Sequence, residues 1–232
     1  MKLIVISPEA EDPREHAILA EFFAADLTSY HLRKPTWTRP QLVAWLHALP
    51  SNFHPRIVLH THHDLALEFP LGGLHDRDSS QSTCHVLSDN APLPFSPHND
   101  NLNSVCHLIR DKHPVEHPSL HSRAVHDLPT LRSSLDTYDR LLLSPIFPSL
   151  SKSGHHPSPD LSSAALRTVL ALPRRAEVIA LGGIEATRIP ACRELGFDGV
   201  AVLGAIWQAA DPMRVFTDIQ NASASSAISA FK

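Results

Sequence analysis

The sequence predicts an α/β chain folded as a closed (β/α)8 barrel, the TIM barrel, with a long insertion after the fourth strand. Eight short apolar runs fit buried strands, and each is followed by a helical pattern or by the insertion. The runs are apolar throughout, which suits parallel strands that are covered on both faces. Eight strand–helix units in a row favour a closed barrel over an open doubly wound sheet.

The strands are bounded by residues that cannot continue a parallel ladder. Proline follows the first, second and sixth runs, at Pro8, Pro35 and Pro145, and proline cannot donate to a ladder. The seventh run ends in Gly182-Gly183. The expected strands cover residues 3–6, 29–33, 56–60, 73–75, 119–122, 138–143, 177–181 and 199–203.

The helices carry recognisable start and stop residues. Pro13 opens the first, Thr38 is the expected N-cap of the second, and Gly196 closes the helix before the last strand. Helices are expected over residues 13–23, 38–49, 64–69, 125–135, 159–172, 184–195 and 205–220. The chain is interpreted as one barrel domain over residues 1–222, with an irregular insertion at 76–118 and a frayed tail at 223–232.

Composition excludes several classes of function. The 232 residues include 20 Lys and Arg against 24 Asp and Glu, a net charge of −4, so no nucleic-acid partner is expected. No apolar run is long enough to span a bilayer, and the first apolar run is too short for a signal peptide. The three cysteines are odd in number and widely spaced, which predicts no disulfide framework and a cytoplasmic protein.

The first candidate binding segment is the loop after the sixth strand. It carries Ser149, Ser151, Lys152 and Gly154 within six residues. Two hydroxyls and a mobile ammonium can hold phosphate oxygens, and a flexible glycine lets the loop close on them. Polar serine- and proline-rich loops are also common on protein surfaces, so this loop alone leaves both interpretations open.

Two glycine-containing turns strengthen the phosphate interpretation. Gly182-Gly183 follows the seventh expected strand, and Leu203-Gly204 follows the eighth. Barrels of this kind often hold a phosphate between these two loops. Glycines let backbone N–H groups approach an anion closely, although they also make tight turns without any ligand. The polar residues expected at the strand ends are Arg33, Lys34, His60, His75, His121 and Ser144.

The segment from Ser144 to Lys152, Ser-Pro-Ile-Phe-Pro-Ser-Leu-Ser-Lys, resembles the Gly-Pro-x-Phe-Pro-Thr-x-Thr-Lys signature of thiamine phosphate synthases. Residues 179–184 and 196–202 resemble the last two strand motifs of that family, and His31-Leu32-Arg33 resembles its Gln-x-Arg motif. The resemblance covers the barrel strands but not residues 76–118. The same family contains thiazole tautomerases.

The resemblance implies a reaction and a set of residues. A pyrimidine-methyl pyrophosphate would lose pyrophosphate, and the nitrogen of a thiazole phosphate would capture the resulting cation. Lys152 and Arg33 would be catalytic. The residues implied in binding substrate or phosphate are His31, Arg33, Lys34, His121, Ser149, Ser151, Lys152, Gly182, Gly183, Leu203 and Gly204. The partners would be phosphorylated small molecules, and homo-oligomerisation is left open.

The metal site implied by the resemblance departs from the family pattern. The family uses Mg²⁺ held by two aspartates, one after strand three and one after strand four. Thr61 stands at the first of these positions. After His75 the acidic residues are displaced from the second position, so Asp76 or Asp78 would have to hold the ion. The histidines of His60-Thr61-His62-His63 do not share a helix face or form a His-Glu-x-x-His pattern, so no metal site is predicted there.

The sequence therefore leaves three functions open. The first is a thiamine phosphate synthase-like enzyme of thiamine biosynthesis. The second is a thiazole tautomerase-like isomerase, or a relative that binds thiazole phosphate without catalysis. The third is a protein-interaction scaffold that uses the long insertion.

Overall fold

The computed structural model describes residues 1–77, 120–148 and 158–225. Eight parallel strands close into a barrel in chain order, and the ring is completed by pairing of the first strand with the eighth. The predicted fold class is thereby confirmed. The strands are β1 Lys2–Ile6, β2 Tyr30–Leu32, β3 Ile57–Leu59, β4 Gly73–Asp76, β5 Leu120–Val125, β6 Arg140–Leu143, β7 Glu177–Leu181 and β8 Gly199–Val202.

The helices pack around the outside of this barrel. They are α1 Glu15–Ala24, α2 Arg39–Ala48, α3 Leu128–Ser134, α4 Ser163–Leu170, α5 Ile189–Leu195, α6 Gly204–Trp207 and α7 Pro212–Ala224, with short 3₁₀ helices at Ser51–Arg56, His63–Leu67 and Ala186–Arg188. No described helix has both the length and the apolar character needed to cross a membrane. The segments 78–119, 149–157 and 226–232 lie outside the described residues, and so does most of the expected insertion.

Two expected helix boundaries were wrong, for local reasons. Val125 was assigned to a helix, but it ends β5, where it pairs with Leu143, and α3 starts only after Asp127. The Asp127 side chain accepts a hydrogen bond from the Thr130 N–H and caps α3. The single helix expected over 205–220 is two helices, because Asp211 caps a new helix by accepting from the Arg214 N–H.

Other boundaries shifted by smaller amounts. The N-cap predicted at Thr38 is confirmed, with a capping box between Thr38 and Gln41. The Ser162 side chain accepts from the Ala165 N–H, so α4 begins four residues later than the position 159 expected from sequence. The stretch expected as one helix over 184–195 starts as a 3₁₀ turn and becomes α5 at Ile189.

Alternation along the strands separates two apolar layers. Side chains such as Val5, Leu59 and Val200 face the helices and form the larger core. The smaller cluster fills the barrel interior and consists of Ile4, Ile6, Leu142, Ile179 and Ala201. At the amino-terminal end of the barrel, Arg140 forms an ion pair with Glu177 over 3.0 Å. The interior is therefore filled at that end and in the middle, which leaves the carboxyl ends of the strands for a ligand.

Candidate active site

The predicted glycine turn after β7 is shaped by contact with the segment after β6. Gly182 and Gly183 both have positive φ, at 96° and 63°. The Phe147 N–H donates to the Gly182 carbonyl over 3.2 Å. A Cβ on Gly183 would lie only 2.4 Å from the Pro148 carbonyl oxygen, so glycine is required by space as well as by φ.

This contact places the start of the serine and lysine loop. Ser149, Ser151 and Lys152 lie outside the described residues, so their predicted roles stay predictions. The described chain before them ends at Pro148, in contact with Gly183. The last described residue before this loop therefore lies beside the glycine turn.

The second glycine turn lies at the end of β8. Leu203 follows the strand, and α6 begins at Gly204. The Leu203 carbonyl accepts hydrogen bonds from the N–H groups of Ile206 and Trp207, over 3.2 and 3.1 Å. No described carbonyl accepts from the N–H of Gly183 or Gly204. These two backbone N–H groups are donors of the kind that the predicted phosphate site requires.

Arg33 follows β2 at the same end of the barrel. Its backbone N–H donates to the Ser7 hydroxyl over 2.8 Å, and its guanidinium pairs with Glu9 over 2.5 Å. The side chains of Arg33 and Glu9 are 37% and 40% exposed. The guanidinium is therefore held at the mouth of the barrel, where the carboxyl ends of the strands lie, and it remains accessible to an anion.

Lys34 occupies a different environment from the one that its predicted phosphate role requires. Its side chain is fully buried, and its ammonium donates to the carbonyls of Pro8 and Ala10 and to the Glu15 carboxylate. The ammonium also lies 4.8 Å from the centre of the Trp37 ring. Its three donors are all used inside the protein, so the geometry supports a structural role.

Three buried histidines lie together inside the barrel, near the carboxyl ends of three consecutive strands. His31 lies on β2, His60 directly follows β3, and His75 lies on β4. One ring nitrogen from each lies within 4.8 Å of one from each of the others. His31 Nδ1 and His60 Nε2 are hydrogen-bonded at 2.9 Å, and the rings of His60 and His75 stack with centres 4.0 Å apart.

Burial keeps these imidazoles neutral. Loss of solvent lowers the pKa of His31 and of His60 well below the usual value of 6.5. Burial also lowers the pKa of His75, to about 3. For His60 and His75 the positive charge of Arg33 adds to this effect. Each imidazole therefore keeps a nitrogen lone pair, and the cluster carries no net charge near neutral pH.

The aspartate predicted to bind magnesium lies elsewhere. Asp76 Oδ2 is 2.9 Å from His121 Nε2 and accepts from the Tyr138 hydroxyl at 3.4 Å. Asp76 alternates with His75 along β4, and His121 alternates with Ser122 along β5, so both project toward the helix layer. The interior face is therefore unavailable to Asp76, and His121 does not join the residues at the mouth. Asp78 lies outside the described residues.

The histidine cluster was not predicted from the sequence, because the histidines were compared only within one segment of the chain and not between strands. His31 was predicted only as a substrate-binding residue, and no metal site was expected around His60. The available signal was positional, since each of the three histidines occurs near the end of one of three consecutive strands. Strand register then places Ser122 beside His75, and Ser122 Oγ and His75 Nδ1 are 2.9 Å apart.

Two groups of curated proteins are similar to part of this chain. The thiamine-phosphate synthase of Haemophilus influenzae (strain PittEE) is 36% identical over 76 residues, 33% of each chain. The thiamine-phosphate synthase of Streptococcus suis (strain 98HAH33) is 33% identical over 84 residues, 36% of each. The resemblance to the thiamine phosphate synthase family is confirmed. The matched segment spans about a third of the length of these relatives, and no family model matches the chain.

Solved structures match over almost the whole chain. The thiamine phosphate pyrophosphorylase of Bacteroides thetaiotaomicron is 24% identical with a TM-score of 0.66, and the match covers 96% of this chain and 98% of that one. The thiamine phosphate pyrophosphorylase of Pyrococcus furiosus has 17% identity and the same TM-score, with coverage of 96% and 95%. The 3-hexulose-6-phosphate synthase of Salmonella typhimurium has 18% identity and a TM-score of 0.58, covering 96% and 98%. At these identities the structural matches show the fold alone.

Proposed function

We propose that this chain is a thiamine phosphate synthase-like transferase of thiamine biosynthesis. It would join a pyrimidine-methyl pyrophosphate to thiazole phosphate and release pyrophosphate. The observation that carries this proposal is the contact of Gly183 with Pro148, because it joins the two segments that resemble the synthase signature at one mouth. The sequence similarity to thiamine-phosphate synthases supports the same assignment.

The thiazole phosphate would lie between the turns after β7 and β8. The N–H groups of Gly183 and Gly204 have no acceptor among the described carbonyls and would donate to the phosphate oxygens. Ser149, Ser151 and Lys152 would supply further donors and a positive charge from the adjoining loop. Gly182 and Leu203 would act through the backbone that they position.

The pyrimidine pyrophosphate would lie nearer to Arg33. In the reaction the bond from the methylene carbon to oxygen breaks, and its electron pair leaves with pyrophosphate. The thiazole nitrogen then donates its lone pair to the methylene carbon. The Arg33 guanidinium would stabilise the negative charge on the departing group, because it is fixed at its backbone and accessible at its tip.

The described residues do not fit a magnesium site of the expected kind. Mg²⁺ prefers oxygen ligands, chiefly carboxylates. Asp76 is turned to the helix layer by strand alternation, Thr61 occupies the position of the first family aspartate, and Glu9 pairs with Arg33. The interior instead presents imidazole nitrogens. No step of the proposed reaction is therefore assigned to a magnesium ion.

The decisive experiment incubates the full chain with both substrates and detects thiamine phosphate by mass spectrometry. Magnesium is varied from zero, and Arg33→Ala is compared with the exposed control Arg132→Ala. Thiamine phosphate formation that is lost in Arg33→Ala but retained in the control would support the transferase. Absence of product at every magnesium concentration would refute it.

One observation favours a second candidate, a relative that binds thiazole phosphate without synthase turnover. The backbone donors at Gly183 and Gly204 are present, whereas the described residues provide no matching carboxylate pair for magnesium. Calorimetry with thiazole phosphate alone separates the two candidates. Binding without product formation would select the second candidate, and a thiazole isomerisation assay would then test the tautomerase-like form of it.

A further inference from the structure

The histidine cluster has the composition and the burial of a metal site. His31, His60 and His75 are 0%, 7% and 3% exposed. His31 and His75 lie on β2 and β4 and are held by ladder pairing on both sides. His60 directly follows β3, and its N–H donates to the Leu32 carbonyl over 3.2 Å. Side chains on such strands are held more rigidly than side chains on loops.

One nitrogen of the cluster is buried without a partner. His31 Nε2 is inaccessible to solvent and has no hydrogen-bond partner in the described parts of the chain. Buried polar atoms in folded proteins are nearly always paired, and an unpaired one indicates a ligand, an ion or a water that completes it. The unpaired atom belongs to one of the three imidazoles that converge.

A hydrogen bond outside the cluster sets the tautomer of His75. The Ser122 hydroxyl donates to the Leu74 carbonyl over 3.1 Å, so its oxygen is free to accept from His75 Nδ1–H at 2.9 Å. The proton on Nδ1 leaves the lone pair of His75 on Nε2. Histidine ligands of metals are commonly oriented in this way, by donating the other ring N–H to an oxygen.

The spacing of the donors requires the three side chains to move closer together when the ion binds. The three ligand nitrogens lie within 4.8 Å of one another. Imidazole nitrogens bind zinc at about 2.0–2.1 Å, so two ligands of one tetrahedral ion lie roughly 3.3–3.4 Å apart. Ion binding therefore requires the most distant pair of nitrogens to approach by roughly 1–1.5 Å through side-chain rotation, and it requires the stacked rings of His60 and His75 to turn apart.

We propose that His31, His60 and His75 bind one divalent transition-metal ion of the zinc class inside the barrel. Neutral imidazoles suit zinc, copper and nickel, whereas magnesium and calcium prefer oxygen ligands. Three protein ligands leave a fourth position for water or for an oxygen of a bound anion. The inference concerns binding of the ion and does not depend on the proposed transferase reaction.

The main test measures zinc binding in the absence of both substrates. The full chain is stripped with a chelator, dialysed and titrated with zinc against a competing chromophoric chelator. One tight site is expected, and zinc at a hundredfold excess over its Kd should raise Tm by roughly 5–10 °C. Cobalt substitution should produce the visible absorption bands of a four-coordinate ion.

Variants decide where the ion is held. His60→Asn and His31→Gln keep a polar side chain and should weaken zinc binding by at least about 100-fold, because removing an outer hydrogen-bond partner alone costs about 10–100-fold. Ser122→Ala should weaken it by about tenfold. His47→Gln, at an exposed position on α2, is the matched control and should leave affinity unchanged.

Two results would overturn the proposal. Equal zinc affinity in the wild type and in His60→Asn would show that the ion binds elsewhere, since the chain has 17 histidines. Absence of a Tm increase in the wild type at millimolar zinc would show that the cluster is only a hydrogen-bonded group. If His60→Asn fails to fold, X-ray absorption on the cobalt-loaded wild type decides, and fewer than three imidazole ligands would contradict the site.

Discussion

Lys34 and Glu15 form an ion pair inside the protein, with the ammonium nitrogen 2.6 Å from a carboxylate oxygen and the two side chains 0% and 2% exposed. The other carboxylate oxygen accepts from the Tyr30 hydroxyl at 2.6 Å. Burial is the largest influence on the pKa of Glu15 and raises it, although the bonds from Lys34 and Tyr30 oppose the shift. The pair joins the loop after β2 to the start of α1, next to the accessible Arg33.

Lys34→Met should lower the free energy of unfolding by about 3–5 kcal/mol, because it leaves the Glu15 carboxylate buried without its cation. Urea denaturation at pH 7.5 measures the loss. Arg39→Met is the matched control, since Arg39 pairs with Asp64 and Glu68 on the surface, and it should cost much less stability than Lys34→Met. Intact stability together with lost phosphate binding in Lys34→Met would instead restore Lys34 as a ligand residue.

Gly183→Ala should lower both stability and affinity for thiazole phosphate. Its Cβ would meet the Pro148 carbonyl at 2.4 Å and would force the start of the serine and lysine loop away from the turn. Gly196→Ala is the control, because Gly196 also has positive φ, at 96°, but its nearest contact is the Leu170 Cβ at 3.3 Å. Both variants should lose about 1 kcal/mol from backbone strain, and only Gly183→Ala should lose binding in calorimetry.

Stability should fall as the pH drops from 6.5 toward 5. The folded-state pKa of His75 is about 3, below the unfolded value of 6.5, so in this range the unfolded chain binds more protons. The stabilisation is fully present above pH 6.5 and is lost as pH falls toward the folded pKa. At pH 5 one such histidine costs about 2 kcal/mol.

The measurement is urea denaturation at pH 7.5, 6 and 5 with a chelator present. His31 and His60 are shifted in the same direction by burial and should steepen the decrease. His75→Gln should reduce the slope by about 1.4 kcal/mol per pH unit in the acid part of this range. An unchanged slope in that variant would show that the pKa of His75 is not lowered in the folded protein.

Asp76→Asn should leave any magnesium dependence of turnover unchanged. Asp76 accepts from Tyr138 and contacts His121 on the side of β4 that faces the helices, so its substitution acts on stability by about 1–2 kcal/mol. Thermal unfolding and initial rates at varied magnesium test both parts. Tyr138→Phe removes only the longer bond and should have the smaller effect on Tm. Loss of magnesium activation in Asp76→Asn would place the ion at Asp76.

Several features of this protein follow from the sequence by itself. The eight apolar runs, three of them ended by proline, were enough to predict the closed barrel, because a strand buried on both faces has a simple pattern. Thr38 and Gly196 marked helix ends by their local chemistry, which does not depend on the rest of the fold. The synthase-like signature around Phe147 could also be recognised from the sequence, because its residues are contiguous in the chain.

The tertiary structure alone decided how the polar residues at the strand ends are used. Arg33 and Lys34 are adjacent in the chain, yet the Arg33 guanidinium is accessible to solvent and the Lys34 ammonium is buried against Glu15. The difference arises because successive side chains leave a strand end in opposite directions. Register likewise turned Asp76 toward the helices and His75 toward the interior. His31, His60 and His75 are separated by 15 residues or more in the chain. Closure of the barrel brings them together, so only the folded chain presents three imidazoles to one ion.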